Sequence, residues 1–364
     1  MLESGNNTIR IIQPGPLTLV QDQGRTGFQK LGVSVSGAID FDALNIGNRL
    51  VGNDPNAAGL EALLGGLEIE FSKQTVFAIT GADIDADLDG VPVSTNISYT
   101  AHAGSHLVLG MVNEGLRAYV AVAGGLNNSS VLGSRATHIA SKIGGVDGRQ
   151  LAEGDVLSLG DPAPDGLSGM VFADDEFSST VQNLTIRIIL GPQDDEFSKT
   201  GIDTLLGSTY SVTDQSNRQG LRLDGPEIES KTGRYDIVSD PVVNGSVQVP
   251  GDGKPIILLA DRQTTGGYAK IATVASVDLP KLGQASPGAT ISFTAISVTE
   301  AQQLLIDRNE RFAAAELGNV VNQIAMRIEG EEISVGVTGN TAVHLAKIND
   351  AVYPVSIDEY TPAE

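Results

Sequence analysis

"TIRIIQPGPLTLVQD", residues 8–22, returns in altered form as "LTIRIILGPQDDEF", residues 184–197. Each copy carries "IRII" followed within three residues by "GP", so each reads as an apolar strand closed by a turn. Between the copies, short runs end on Gly, Pro, Asn or Asp: "GLEIEFSKQTVFAITGAD", "SHLVLG", "LRAYVAVAGG" and "DVLSLGDP". Their spacing leaves no room for the helices that a parallel α/β wind needs between strands. The echo, with a second one between "DGVPV" and "DGKPI", predicts a mainly β protein made of two related β units with a few short helices. The first unit is expected over 1–165 and the second over 182–298. Between them, "PAPDGLSGMVFADDEFSSTV" reads as a linker, rich in Pro, Gly, Ser and acid.

Three segments read as helical. "AIDFDALNIGNRLVGN" has near-helical apolar spacing and a stop at Gly52, and "DDEFSKTGIDTLL" is shorter. "VTEAQQLLIDRNERFAAAEL" is the longest, with Thr299 and Gln302 expected as its capping box, and it defines a helix over 299–317. Residues 318–364 return to alternation in "RIEGEEISVGV" and predict a small β extension.

The chain has 364 residues, no cysteine, 45 acidic residues and 23 basic ones, for a net charge of −22. Without cysteine there is no disulfide, thiolate nucleophile or sulfur-ligated metal. His102 and His106 lie four apart, but Gly104 between them argues against a helix that would align them, so no metal is expected. The negative field repels nucleic acid and anionic membranes. The N-terminus lacks the pattern of a signal peptide, no run is long enough to span a bilayer, and the expected location is cytoplasmic.

Four polar clusters interrupt the strands. "VQDQGRTGFQKLGVSVSGAID" places Asp22 and Arg25 around a turn, then Ser36 and Asp40 at a helix start. Gly24 and Gly27 there permit close backbone approach. Its guanidinium could grip a carboxylate, or simply brace the turn against Asp22. "VAVAGGL" with Ser134 and Arg135 offers either an anion nest at Gly124 and Gly125 or a plain turn. "TDQSNRQGLRLDG" carries Arg218 and Arg222, four apart in extended chain. They share either an anion between them or solvated pairs with Asp214 and Asp224. In "KPIILLADRQTTGGYAKIATV", residues 254–274, a buried strand delivers Asp261, Arg262, Gln263, Thr264, Thr265, Gly266 and Gly267, with Lys270 soon after. A hairpin turn needs about two such residues. The surplus of neutral donors and acceptors suits the wall of a site for a ureido or lactam group. No P-loop for ATP and no G-x-S-x-G elbow is present.

With these clusters read, the chain resembles the biotin-dependent carboxyltransferase family. That family includes allophanate hydrolase subunit 2, the C-type subunit of 5-oxoprolinase and part of the carboxyltransferase region of urea carboxylase. The resemblance runs in order from about residue 9 to 300 through "GPLTLVQDQGRTGFQKLGVSVSGAID", "NRLVGN", "GLEALLGGLEIEF", "VAVAGGL", "VLGSRAT", "GRQLAEGD", "LGPQDDEF", "SNRQGLRL" and "ADRQTTGGYAKIATVASVDLPKLGQASPG". It departs where Gln219 and Ala269 stand for the Met and Pro common in the family. The resemblance implies a cyclophilin-like β-barrel architecture and a partner of related fold, such as the B-type subunit of 5-oxoprolinase or allophanate hydrolase subunit 1, and alongside it a lactam-utilisation subunit. It implies a subunit of ATP-dependent 5-oxoprolinase, ATP being handled with partner subunits. The alternatives are a carboxyltransferase acting on urea with biotin carried by another chain, and a regulatory partner of a kinase inhibitor. In the enzyme readings Arg25, Asp22, Gln263 and Arg218 are the expected catalytic residues. Thr264, Thr265, Gly266, Gly267, Asp261, Lys270, Ser36 and Asp40 are the expected substrate contacts.

Overall fold

The computed structural model describes residues 7–161, 167–172 and 182–319, and beyond them four strands of backbone. Nine strands form the first sheet: Thr8–Pro14 (β1), Leu17–Gln21 (β2), Gly59–Leu63 (β3), Leu67–Phe71 (β4), Thr75–Leu88 (β5), Val91–Val93 (β6), Ser98–Ala101 (β7), His106–Val122 (β8) and Val156–Ser158 (β9). They pair antiparallel in the order β2-β3-β8-β4-β1-β9, and the long β5 adds to β8 and carries β6 and β7. Alternation sets the faces: Ile9 and Ile11 of β1 point into the core with Phe71, Phe77 and Tyr99, while Arg10 between them reaches outward to Glu70. A short strand, Met170–Val171 (β10), pairs with Gly318–Asn319.

The second unit closes on itself. Strands Asn183–Leu190 (β11), Thr209–Val212 (β12), Gly220–Asp224 (β13), Ser246–Gln248 (β15), Ile256–Leu258 (β16), Lys270–Val274 (β18) and Thr290–Ala295 (β19) form a barrel in the order β11-β18-β15-β16-β13-β12-β19. Parallel pairing of β11 with β19 seals it. Closure leaves no edge strand to template aggregation. Asp236–Pro241 (β14) and Thr265–Tyr268 (β17) stand off the barrel as a two-stranded ribbon. The expected mainly β, barrel-containing architecture therefore holds. The echoed strands β1 and β11 both bury alternate isoleucines, Ile9 and Ile11 against Ile186 and Ile188, yet one lies in an open sheet and the other in a closed barrel.

Among the described residues four α-helices join these layers: Phe41–Leu50 (α1), Lys199–Gly207 (α2), Leu279–Gln284 (α3) and Val298–Ala314 (α4). The capping box of α4 is Ser297 with Glu300, not Thr299 with Gln302. Ser297 Oγ accepts from Glu300 N, and the Glu300 carboxylate accepts from Ser297 N at 2.7 Å. A carboxylate at N3 is favoured there because it also meets the positive end of the helix dipole. The six-residue α3 has no counterpart among the expected helices, since Pro280 and Gly283 mask its period. From the barrel, α4 returns to the first unit. Arg308 pairs with Asp42 of α1 and covers the Phe41 ring at 5.4 Å, while Phe312 packs on Phe172 at 6.0 Å. Beyond residue 319, Ile324–Ile328, Glu331–Val337, His344–Ile348 and Ala351–Val355 form an antiparallel meander. No helix among the described residues is long and apolar enough to cross a membrane.

Candidate functional site

The loop from Asp22 to Ile39 folds back on itself against the barrel. Gly24 and Gly37 make this fold feasible, with φ of +87° and +92°. A Cβ on Gly37 would stand 2.8 Å from Gly24 N and 3.0 Å from Asp22 O. Across this contact Arg25 N donates to Val35 O and Ala38 N to Asp22 O. The Asp22 carboxylate is fully engaged: Oδ1 accepts from Gly24 N and from Ser134 Oγ at 2.6 Å, and Oδ2 accepts from Arg135 N at 2.5 Å. It therefore ties the turn to the 134–136 loop and forms no ion pair with Arg25.

Arg25 is 1% exposed. One terminal nitrogen donates to Ala136 O, whereas Nε and Nη1 have no hydrogen-bond partner among the described residues. Burial lowers its affinity for its proton, and the nearby charges of Asp22 and Asp261 oppose that shift.

The stretch 254–274 is not a hairpin. Strands β16 and β18 flank β15 in the barrel rather than pairing with each other. The chain between them leaves the barrel to form the ribbon, and its first residues meet the loop just described. Ser36 Oγ donates to Asp261 Oδ1 at 2.6 Å, Ser34 Oγ donates to Arg262 O at 2.5 Å, and Ser36 N donates to Ala260 O. Ser36 itself holds a left-handed φ of +58°, a strained conformation for a residue with a Cβ. The Arg25 loop and the Asp261 ribbon thus share one neighbourhood. His138, whose Nδ1 accepts from Ser141 N, brings Nε2 to 3.4 Å from Asp261 O.

Beneath them lies a buried charge network joining the two units. Arg218 donates through Nε and Nη2 to the two oxygens of Asp261, at 2.8 and 3.0 Å, and through Nη1 to Glu61 of β3. Nη2 also donates to Gly37 O at 2.6 Å. Burial alone would push the Arg218 proton off, but the Asp261 and Glu61 charges outweigh it and hold the guanidinium charged. Glu61 in turn accepts from Tyr119 OH at 2.7 Å and lies 3.7 Å from Arg117 Nε. Arg218 is therefore neither solvated nor paired with Asp214. Asp224 pairs instead with Lys254, and Arg222 is exposed on β13 while Arg218 is buried.

Asp40 closes the network. It caps α1 through Ala43 N and accepts from Gln284 Nε2 at 2.7 Å. Burial raises its pKa from 3.8 to about 6, with the bonds from Gln284 and Ala43 resisting. Because the folded state holds this proton more tightly, stability falls as pH rises from about 4 to 6, by roughly 3 kcal/mol for this group alone. Asp40→Asn keeps the cap and should flatten that part of the pH profile, as measured by urea unfolding at pH 4 to 7. Parallel profiles for the two proteins would contradict the assignment.

On the ribbon, Gln263 and Thr265 are exposed, Thr264 and Gly267 are half-buried, and Gly266 is buried against Gln248. Lys270 lies beneath, 2% exposed, with Nζ 2.8 Å from Asp240 Oδ2. The amides of Gly124 and Gly125 are taken by Asn53 and Val122, so they form a turn and not an anion nest. Sequence reasoning passes over Glu61, Arg262, His138 and Gln29 as site residues. Glu61 stands between Leu60 and Ala62 in a strand, where nothing local marks a buried charge, whereas Arg262 is in plain view inside the polar run.

Among known proteins, the carboxyltransferase domain, subdomain A and B, matches residues 31–295. The chain is 38% identical over 323 residues to the C-type subunit of 5-oxoprolinase from Escherichia coli (strain K12), covering 89% of this chain and 99% of that protein. Urea amidolyase of Lachancea kluyveri is 33% identical over 335 residues, covering 85% of this chain and 18% of that protein. The crystal structure of the K. lactis urea amidolyase superposes with a TM-score of 0.78 at 28% identity, over 95% of this chain and 23% of that one. With its β sheet and barrel joined through the Arg218 network, the chain belongs to the carboxyltransferase-domain family, subdomains A and B.

Proposed function

We propose that this chain is the carboxyltransferase-type subunit of an ATP-dependent 5-oxoprolinase, acting in the cytoplasm with partner subunits to open 5-oxoproline to L-glutamate. The observation that carries this reading is the match to the C-type subunit of E. coli 5-oxoprolinase over 99% of that protein's length. In it, the open donors of Arg25 take the substrate carboxylate. Gln263, Thr264 and Thr265 address the lactam N–C=O, with bare backbone at the half-buried Gly267 allowing close approach and Gly266 packed on Gln248 behind it. Preorganised donors of this kind stabilise the charge that grows on the carbonyl oxygen as the amide is attacked. Arg218 acts by positioning: it fixes Asp261, which with Ser36 shapes the wall, and Asp22 and Asp40 hold the loop. Lys270 supports the ribbon through Asp240. ATP is handled with the partner subunits.

A second reading is favoured by the 95% coverage against K. lactis urea amidolyase. In it, the same neutral donors receive the ureido group of biotin carried by another chain, and the product is a carboxylated urea or related amide. Co-expression with the partner subunits and an assay of ATP-dependent glutamate release from 5-oxoproline decides between them. Arg25→Ala and Gln263→Ala should each lower turnover by about 10²-fold or more, the usual cost of removing one preorganised donor. Unchanged turnover in both would overturn the residue roles. Biotin-dependent carboxylation of urea without glutamate release would favour the second reading.

A further inference from the structure

A cavity of about 290 Å³ lies between α1, β11, α3 and α4, and its polar wall is Asp42, Arg187, Lys281, Asp307, Arg308 and Arg311. Behind the wall, Asp278 is fully buried and holds two of the cations on one oxygen. Arg187 Nη2 stands 2.7 Å and Lys281 Nζ 2.9 Å from its Oδ1. Arg187 Nε also donates to Oδ2 at 2.8 Å, so the guanidinium alone already matches the carboxylate fork to fork. Burial would raise the Asp278 pKa, but the bonds from Arg187 and Lys281 outweigh it and keep the group ionised. Arg308 pairs with Asp42 and is held by two rings, its guanidinium carbon 5.4 Å from the centre of Phe41 and 5.9 Å from that of Phe312. Asp307 accepts from Gln303 Nε2 at 2.7 Å, and Arg311 is exposed.

The balance of charge here runs against that of the chain. Acidic residues outnumber basic ones 45 to 23 overall. Around this cavity four cations meet three carboxylates, those of Asp42, Asp278 and Asp307. A brace between helix and barrel would need only matched pairs. Instead Arg187 and Lys281, both against one oxygen, are held within about 6 Å of each other, where like charges repel. An anion in the cavity relieves that repulsion. A planar carboxylate presents its two oxygens in one direction, whereas cations set on a strand and two helices around a cavity suit oxygens that point several ways. We propose that this cavity is a binding site for a phosphate group, with Lys281 and Arg311 as its principal donors, flanked by Arg187 and Arg308. Arginine forks and a lysine point charge are the usual partners of phosphate oxygens. The volume exceeds that of one phosphate, so the group enters either as the free anion or as the tail of a nucleotide diphosphate. No residue of the Arg25 loop or of the Gln263–Gly267 ribbon lines this cavity, and the site stands whatever amide the enzyme opens.

The test is calorimetric titration of the full chain with inorganic phosphate, pyrophosphate and ADP, at about 0.15 M salt so that diffuse attraction is screened. At least one of the three probes should bind one to one at millimolar concentration or below. Lys281→Gln and Arg311→Gln should each weaken that binding about five-fold or more, the scale of one charge-assisted contact at a partly exposed site. Asp307→Asn removes a carboxylate from the wall and should tighten binding about two- to five-fold, a gain that a purely structural cluster would not give. Lys254→Gln removes an exposed cation outside the cavity, paired with Asp224, and should change binding less than about two-fold. Should Lys281→Gln lower the thermal midpoint of the ligand-free chain, the exposed Arg311 carries the test. ADP bound at least as tightly as pyrophosphate, and weakened by the same variants, would identify a nucleotide tail as the source of the phosphate. Phosphate or pyrophosphate bound with ADP excluded would identify the free anion. Binding of none of the probes at millimolar concentration, binding unchanged in both Lys281→Gln and Arg311→Gln, an equal loss in Lys254→Gln, or weaker binding in Asp307→Asn would each overturn the proposal.

Discussion

Arg218→Ala should destabilise the protein by roughly 3–5 kcal/mol, because it leaves Glu61 and Asp261 as buried carboxylates with their shared cation gone. Both are under a tenth exposed, so water cannot replace the lost partner. The cost falls on the junction. Glu61 belongs to β3 of the first sheet and Asp261 to the segment leaving the barrel, and Arg218 also holds the Gly37 carbonyl. Urea unfolding should therefore show a lower midpoint. Because Asp261 is freed to move away from Ser36, glutamate release in the reconstituted enzyme should fall too. Adding Asp261→Asn to Arg218→Ala should recover part of the loss, since the carboxylate left without its cation is removed while Glu61 keeps Arg117; couplings of about 0.5–3 kcal/mol are usual for such neighbours. A loss below about 1 kcal/mol, the range of exposed ion pairs, would show that the network is not as closed to water as its burial implies.

Gly37→Ala is the second large effect. The new methyl would meet Gly24 N at 2.8 Å, Gln23 C at 2.9 Å and Asp22 O at 3.0 Å, all main chain and unable to turn aside. The residue must also keep φ near +92°. Strain and overlap together should cost roughly 2–4 kcal/mol. Gly27→Ala is the internal control, for Gly27 has the same φ of +92° but nothing within 4 Å of a Cβ. It should lose only about 1–2 kcal/mol, the conformational cost by itself. Equal losses would mean that the back-to-back approach of Gly24 and Gly37 adds nothing, and that the loop can open without penalty.

These two variants also mark where the sequence is legible. Local patterns identify the strands, the α1 and α4 helices and the turn around Gly24, because alternation, helical spacing and glycine act within a few residues. The polar run at 261–267 stands out against its apolar strand for the same reason. Long-range choices leave no such trace. Arg218 and Glu61 are 157 residues apart, and nothing near either one says which carboxylate will be buried with which cation. Asp214 and Asp224 are the nearer candidates for the arginines of "SNRQGLRL", but Arg222 is exposed on strand β13, while Arg218, in the turn bridged by Asn217 and Gly220 before that strand, is buried in the junction. Closure of the second unit depends on β11 meeting β19 at the far end of the barrel, which a repeat of "IRII" cannot reveal. Helix α3 is invisible because its six residues include both Pro280 and Gly283. The cap of α4 lies two residues earlier than its pattern suggests, because Thr and Gln resemble Ser and Glu in spacing but bond less strongly.

The most direct measurement is a structure of the reconstituted enzyme with 5-oxoproline bound. Density for the ligand between the Arg25 guanidinium and the Gln263–Gly267 ribbon, its carboxylate on Arg25, is the result expected here. Ligand bound elsewhere on the assembly, with Nε and Nη1 of Arg25 still without a hydrogen-bond partner, would contradict it.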